Sequence, residues 1–144
     1  MPFSKLMYYK TQGALLILLA TLVGCNRGAS GLDIAPVQGQ VTLDGHPLSE
    51  AMVEFIPEQG RPSVAITDQQ GGYELTFTST EKGAIVGMPY RVKIKTGREA
   101  VTAEGEQISP AVPEKLPKKY HEESELSATI ESGTNVIDFP LTSR

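Results

Sequence analysis

Tryptophan is absent from this 144-residue chain, histidine occurs twice and cysteine once. A single cysteine excludes an internal disulfide framework and a four-cysteine zinc site. The two histidines, His46 and His121, are distant in sequence and lack H-E-x-x-H spacing, so they offer little to a metal centre. A basic excess is missing too. The 13 Lys+Arg stand against 17 Asp+Glu, a formal net charge of −4, which argues against nucleic-acid recognition. Nor does an apolar run reach the ~20 residues that a bilayer-spanning helix needs. What remains fits one domain with an ordinary hydrophobic core.

The apolar run that is present carries its own information. Lys5 and Lys10 form a positive head, and Ala14 to Val23 follows as ALLILLATLV. A basic head before a short apolar stretch is the layout of a secretory signal peptide. Its end, Leu22-Val23-Gly24-Cys25, resembles the lipobox of bacterial lipoproteins. There the cysteine thiol takes up diacylglycerol, and a small residue before it admits the peptidase. The resemblance implies residues 1–24 as a signal peptide and Cys25 as a lipidated first residue. Removing 1–24 takes away two lysines and no acid, leaving 11 basic residues against 17 acidic. Bacterial lipoproteins carry two or three acyl chains, enough for durable anchoring where one chain is marginal. Residues 25–34, with NRGASGLD inside them, read as a flexible tether spanning ~17–19 Å, which keeps residues 35–144 near a membrane surface. Asn26 is not the aspartate associated with inner-membrane retention, which favours the outer membrane in a cell that has one.

From Val37 onward the hydrophobic period is two. VQGQVTL places Val37, Gly39, Val41 and Leu43 on one face, and AMVEFI places Val53 and Phe55 opposite Glu54. SVAIT predicts Val64 and Ile66 inward. YELTF predicts Tyr73, Leu75 and Phe77, and YRVKIK predicts Tyr90, Val92 and Ile94. LSATI offers Leu126, Ala128 and Ile130, and VIDFPL offers Ile137, Phe139 and Leu141. Pro140 puts that last strand at an edge or at its end. Asp44-Gly45 suits a type I′ hairpin turn. Asp68 to Gly72 pairs an Asx-forming side chain with two glycines, and Glu131 to Asn135 reads as a third hairpin connection. Seven strands with one apolar face each predict an all-β fold, two sheets packed as a β-sandwich.

Several blocks in order, GQVTLDGHPLSEAMVEFIP, AITDQQGGYEL, GMPYRVKI, LPKKY and LSATIESGTNVIDFPL, look like the small bacterial lipoproteins with a carboxypeptidase-regulatory-like, or transthyretin-like, domain. The resemblance covers nearly all of residues 37–141. It implies a seven-stranded Greek-key sandwich of the prealbumin-like type. It implies no defined activity, because function resides in sites rather than folds.

A transthyretin-like enzyme that hydrolyses 5-hydroxyisourate needs several histidines, an arginine and a closing Tyr-Arg-Gly-Ser. This chain has Pro140-Leu141-Thr142-Ser143-Arg144 at that place, and no G-x-S-x-G elbow occurs elsewhere. No catalytic residue, metal ligand or cofactor is therefore expected. Asp44 and Asp68 read as turn formers rather than calcium ligands. Tyr120 reads as a corner tyrosine with a buried ring and a hydroxyl bonded to backbone. The row Arg91, Lys93 and Lys95, with Arg98 just beyond, has two readings. It is a surface for an acidic polymer or lipid headgroups, or a solvated face paired weakly with Glu54 or Glu74. Residues 96–117 show no clear alternation and hold Pro110, Pro113, Pro117, Glu99, Glu104, Glu106 and Glu114, so they read as a long surface loop. The expected function is an extracytoplasmic, lipid-anchored binding or scaffolding module, held to the membrane through Cys25 and facing an envelope protein or polysaccharide. An accessory subunit of an envelope transport, secretion or degradation complex is the first alternative. A divergent transthyretin-like hydrolase is the second.

Overall fold

Alternating apolar and polar residues bury one face of a strand and wet the other, and the computed structural model is built of such strands. It describes residues 31–104 and 106–144. The signal peptide, the lipobox with Cys25 and most of the tether lie outside the described residues. In chain order the strands are β1 (Ile34–Ala35), β2 (Val37–Leu43), β3 (His46–Pro47), β4 (Met52–Pro57), β5 (Ser63–Ile66), β6 (Gly72–Glu74) and β7 (Ala84–Ile85). They continue as β8 (Pro89–Lys95), β9 (Val101–Ala103), β10 (Glu106–Ser109), β11 (Ser127–Thr129), β12 (Asn135–Val136) and β13 (Phe139–Leu141). One 3₁₀ turn, Lys118–Tyr120, precedes β11. The described residues are all-β, with the arrangement of a β-sandwich. β1 begins at Ile34, one residue inside the segment read as tether, and pairs with β7.

The seven alternating segments divide between two sheets. One has the antiparallel order β11-β8-β4-β5. In the other, β2 is central, with β3 and β6 antiparallel to it and β12 and β13 parallel. Phe55 on β4 joins the layers. Its ring centroid lies 5.9 Å from Tyr90 on its own sheet, 6.5 Å from Tyr73 and 6.1 Å from Phe139 on the other. Such tilted aromatic contacts add to the area that the rings bury. Val37, Val41, Val53, Leu75, Val92, Ile94 and Ile130 are fully buried around them, as the alternation predicts.

The closing strand needs a glycine. A Cβ on Gly39 would lie 1.8 Å from the Ile137 carbonyl oxygen, which itself accepts a hydrogen bond from the Tyr73 hydroxyl at 2.6 Å. The ladder beside β2 breaks there, and the Gln40 N–H turns to Asp138 Oδ1 at 2.8 Å. Pro140 is exposed between buried Phe139 and Leu141. The Asp44-Gly45 turn has φ of 51° and 81°, and it joins paired Leu43 and His46, as a type I′ hairpin requires. Asp68 Oδ1 accepts the N–H groups of Gln70 and Gly72, so this aspartate forms its turn.

Three expectations are corrected. Val64 and Ile66 point outward, and Ser63, Ala65 and Thr67 are the buried residues of that segment. The register pairs Phe55 with Ser63 and Val53 with Ala65; directly opposed residues share a face, so small residues sit beside the bulky β4 side chains. Thr67 fixes this choice by accepting the Ala51 N–H and donating to the Leu48 carbonyl. Second, the Glu131–Asn135 turn is no hairpin, because β11 pairs with β8 and β12 with β2. It crosses between sheets, and the Asn135 side chain closes it with bonds to Glu131 and Gly133. Third, part of 96–117 is regular. β9 and β10 pair antiparallel, and an isolated bridge joins Arg98 to Val112 below them, so the segment is a two-stranded arm rather than a loop.

Candidate functional site

On the outer face of β4 and β8, at the base of this arm, lies an open groove of about 450 Å³. Strand alternation sends Lys93 and Lys95 outward while Val92 and Ile94 enter the core. Glu54 projects beside them because it stands opposite Lys93 in the ladder. Gly97, Arg98, Glu99, Val112, Glu114, His121 and Glu122 complete the rim.

The structure brings Lys93, Lys95 and Arg98 to this groove and leaves Arg91 out. Arg91 lines a neighbouring groove of about 490 Å³ with Ile56, Pro57, Leu126, Ser124 and Ser127. Lys95 lies four positions along the strand from Arg91, a rise of ~13 Å, too far for one small ligand group to bridge directly. Nor is the row a bare cationic patch. Lys95 pairs with Glu54 at 3.3 Å and Arg98 with Glu50 at 3.1 Å. Exposed pairs of this kind contribute about 0.2–1 kcal/mol each, but they offset the charges of Lys95 and Arg98. Lys93 and Arg91 make no ion pair among the described residues. Glu74, the other expected partner, belongs to the opposite sheet and pairs with Lys82.

Glu114 is the residue whose role the sequence does not reveal. Its carboxylate accepts the Thr96 hydroxyl at 2.7 Å, the Thr96 N–H at 3.0 Å and the Gly97 N–H at 2.9 Å. It also accepts the N–H groups of Lys115 and Leu116, each at 2.8 Å. The two stems of the arm are thereby fastened together. Burial opposes the charge, but the hydrogen bonds from Thr96, Leu116 and Gly97 outweigh it and hold the carboxyl at about 2. Most of its donors are main-chain N–H groups, which carry no residue-type signal.

The remaining candidates have structural roles. The Tyr120 ring is buried and its hydroxyl accepts the Thr142 N–H at 3.0 Å, the corner arrangement expected. His121 Nε2 lies 3.0 Å from the Leu116 carbonyl oxygen, whereas His46 is exposed on β3. Among the described residues no group of three or more His, Cys, Asp or Glu is placed to hold a metal. No described helix is long and apolar enough to cross a membrane.

These features define an all-β, sandwich-like domain with a polar groove and a projecting arm. No family model matches the chain, and no curated protein does. Among solved structures it is similar to a DUF3823 family protein from Parabacteroides merdae. That match has 12% identity and a TM-score of 0.39, and covers 76% of this chain and 46% of that one. It is also similar to a 9R-lipoxygenase from Cyanothece, at 13% identity and a TM-score of 0.43, covering 76% of this chain and 16% of that one. The chain spans less than half the length of either.

Proposed function

We propose that this protein is a lipid-anchored extracytoplasmic module whose sandwich binds or scaffolds a partner in the cell envelope, without catalysis of its own. The observation that carries this reading is the fastened arm. A projecting ribbon has no core to hold it, yet five hydrogen-bond donors converge on Glu114 at its base. Ordering a surface segment in advance lowers the entropic cost of binding through it. The anchor rests on Leu22-Val23-Gly24-Cys25 after a basic head. The prealbumin-like reading is supported by the seven alternating segments, split between two facing sheets with the last strand parallel to the first long one.

Fractionation of cells making the full chain tests the anchor. The native protein is expected in the membrane fraction, with a mature mass that lacks residues 1–24 and carries acyl chains on Cys25. Cys25→Ser is expected to shift it to the soluble extracytoplasmic fraction or leave it unprocessed. A native mass with residues 1–24 retained and Cys25 unmodified overturns the proposal.

A further inference from the structure

The arm is suited to contact in two respects, although exposed aliphatic residues also occur on the sandwich at Val64, Ile66 and Val136. Val101 on β9 is 54% exposed and Ile108 on β10 is 66% exposed, although nothing in the fold requires aliphatic side chains there. The register explains the more exposed of them. Gln107 pairs with Thr102 and Ser109 with Val101, so Ile108 is the extra residue of a bulge. Bulges re-aim side chains and persist as built features. Charge is the second respect. Residues 99–111 contain three glutamates and neither lysine nor arginine, whereas the groove at the base, which Glu99 also lines, mixes Lys93, Lys95 and Arg98 with glutamates. Glu99 and Glu104 are exposed. β9 and β10 form a two-stranded sheet of their own, so each also has an outer edge free of strand partners among the described residues.

We infer that the arm is the docking element, and that it takes a protein partner presenting an apolar cleft rimmed by lysine or arginine. This deepens the binding reading above and rests on it. Aliphatic side chains on a projecting ribbon find their burial in a concave partner. Glutamates around them steer toward a basic rim and oppose approach to anionic lipid or to the equally acidic body of a second copy. The clamp at Glu114 ties the two stems of the ribbon together at its base, so the partner meets a ribbon whose root is ordered.

Photo-crosslinking in intact cells tests this with the full-length, processed chain. A photoreactive amino acid replaces Val101, Ile108, Lys93 or Ile66 one at a time. Ile66 is exposed on β5, and Lys93 lines the groove. The expected result is one shared protein adduct from 101 and 108 and none from 66. The partner peptide, sequenced from that adduct, should place apolar residues beside lysines or arginines. Combining Glu99→Lys with Glu104→Lys should cut the adduct about tenfold and leave membrane fractionation and thermal melting unchanged. Adducts to lipid, to a second copy of this chain, or to a partner peptide without basic residues overturn the inference. So does an adduct yield indifferent to charge reversal. A protein adduct from 93 or 66 with 101 and 108 silent overturns the arm as docking element and leaves the binding module standing. No adduct from any of the four positions overturns both.

Discussion

The Thr96 hydroxyl donates to the Glu114 carboxylate at 2.7 Å and accepts the Lys115 N–H at 2.9 Å. One threonine therefore ties both stems of the arm, leaving β8 and returning toward Tyr120, across a gap of 18 residues.

Acid should loosen this tie. The Glu114 carboxyl lies at about 2 in the fold, below its ordinary 4.5, so the unfolded chain binds the proton more readily between those values. Its stabilising contribution is complete above about pH 4.5 and is lost as pH falls toward 2. NMR titration of the Gly97 amide should show a midpoint near the lower value. Glu114→Ala should remove the transition and speed amide exchange in β9 and β10 at neutral pH, with the sandwich unaffected. A midpoint in the ordinary carboxyl range, or unchanged exchange, contradicts the clamp.

Phe55 and Phe77 should respond unequally to truncation. Phe55 is fully buried at the junction of the two sheets, so Phe55→Ala should cost about 3–5 kcal/mol in chemical denaturation. Phe77 lies outside the main core cluster with the Arg61 guanidinium 5.5 Å from its ring centre, and its truncation should cost less. Equal losses would show that the ring beneath Arg61 belongs to the same core.

Ser63 is 1% exposed and its hydroxyl has no hydrogen-bond partner. A buried hydroxyl left unsatisfied costs about 1–3 kcal/mol. Ser63→Ala keeps the space opposite Phe55 and removes that cost, so the midpoint of denaturation should rise. A fall would mean that the hydroxyl has a partner in solution.

Gly39→Ala should destabilise toward the upper end of the usual ~0.5–3 kcal/mol range for single substitutions. The added methyl meets the Ile137 carbonyl, which is main chain and cannot swing aside. Exchange at residues 135–141 is expected to rise more than exchange in β4 and β8. Uniform loosening would argue against a local clash.

Much of this fold was legible because burial with period two writes itself into residue types. Tyr90, Val92 and Ile94 alternate with Arg91, Lys93 and Lys95, and they are buried as that pattern requires. β5 misleads for a packing reason: opposite Phe55 and Val53 the core has room only for Ser63 and Ala65, so the aliphatic residues turn outward. β9 and β10 left no trace because neither side of the ribbon faces a core. The outward cations are legible in the sequence, but the pairing of Lys95 with Glu54 and of Arg98 with Glu50 depends on which segments become neighbours. Glu114 was visible only as one more acid.

The position of β2 has a consequence for the order in which the molecule can assemble. Gln40 meets Asp138 across 98 residues, so the middle strand of the larger sheet waits for nearly the last strand to emerge. Closing so long a loop places folding among the slower topologies, with times of milliseconds to seconds. Until then β2 can pair with β3 and β6 but has an open edge on its other side, a template for any strand nearby. Whatever shelters the nascent chain therefore has to shelter residues 37–43 above all.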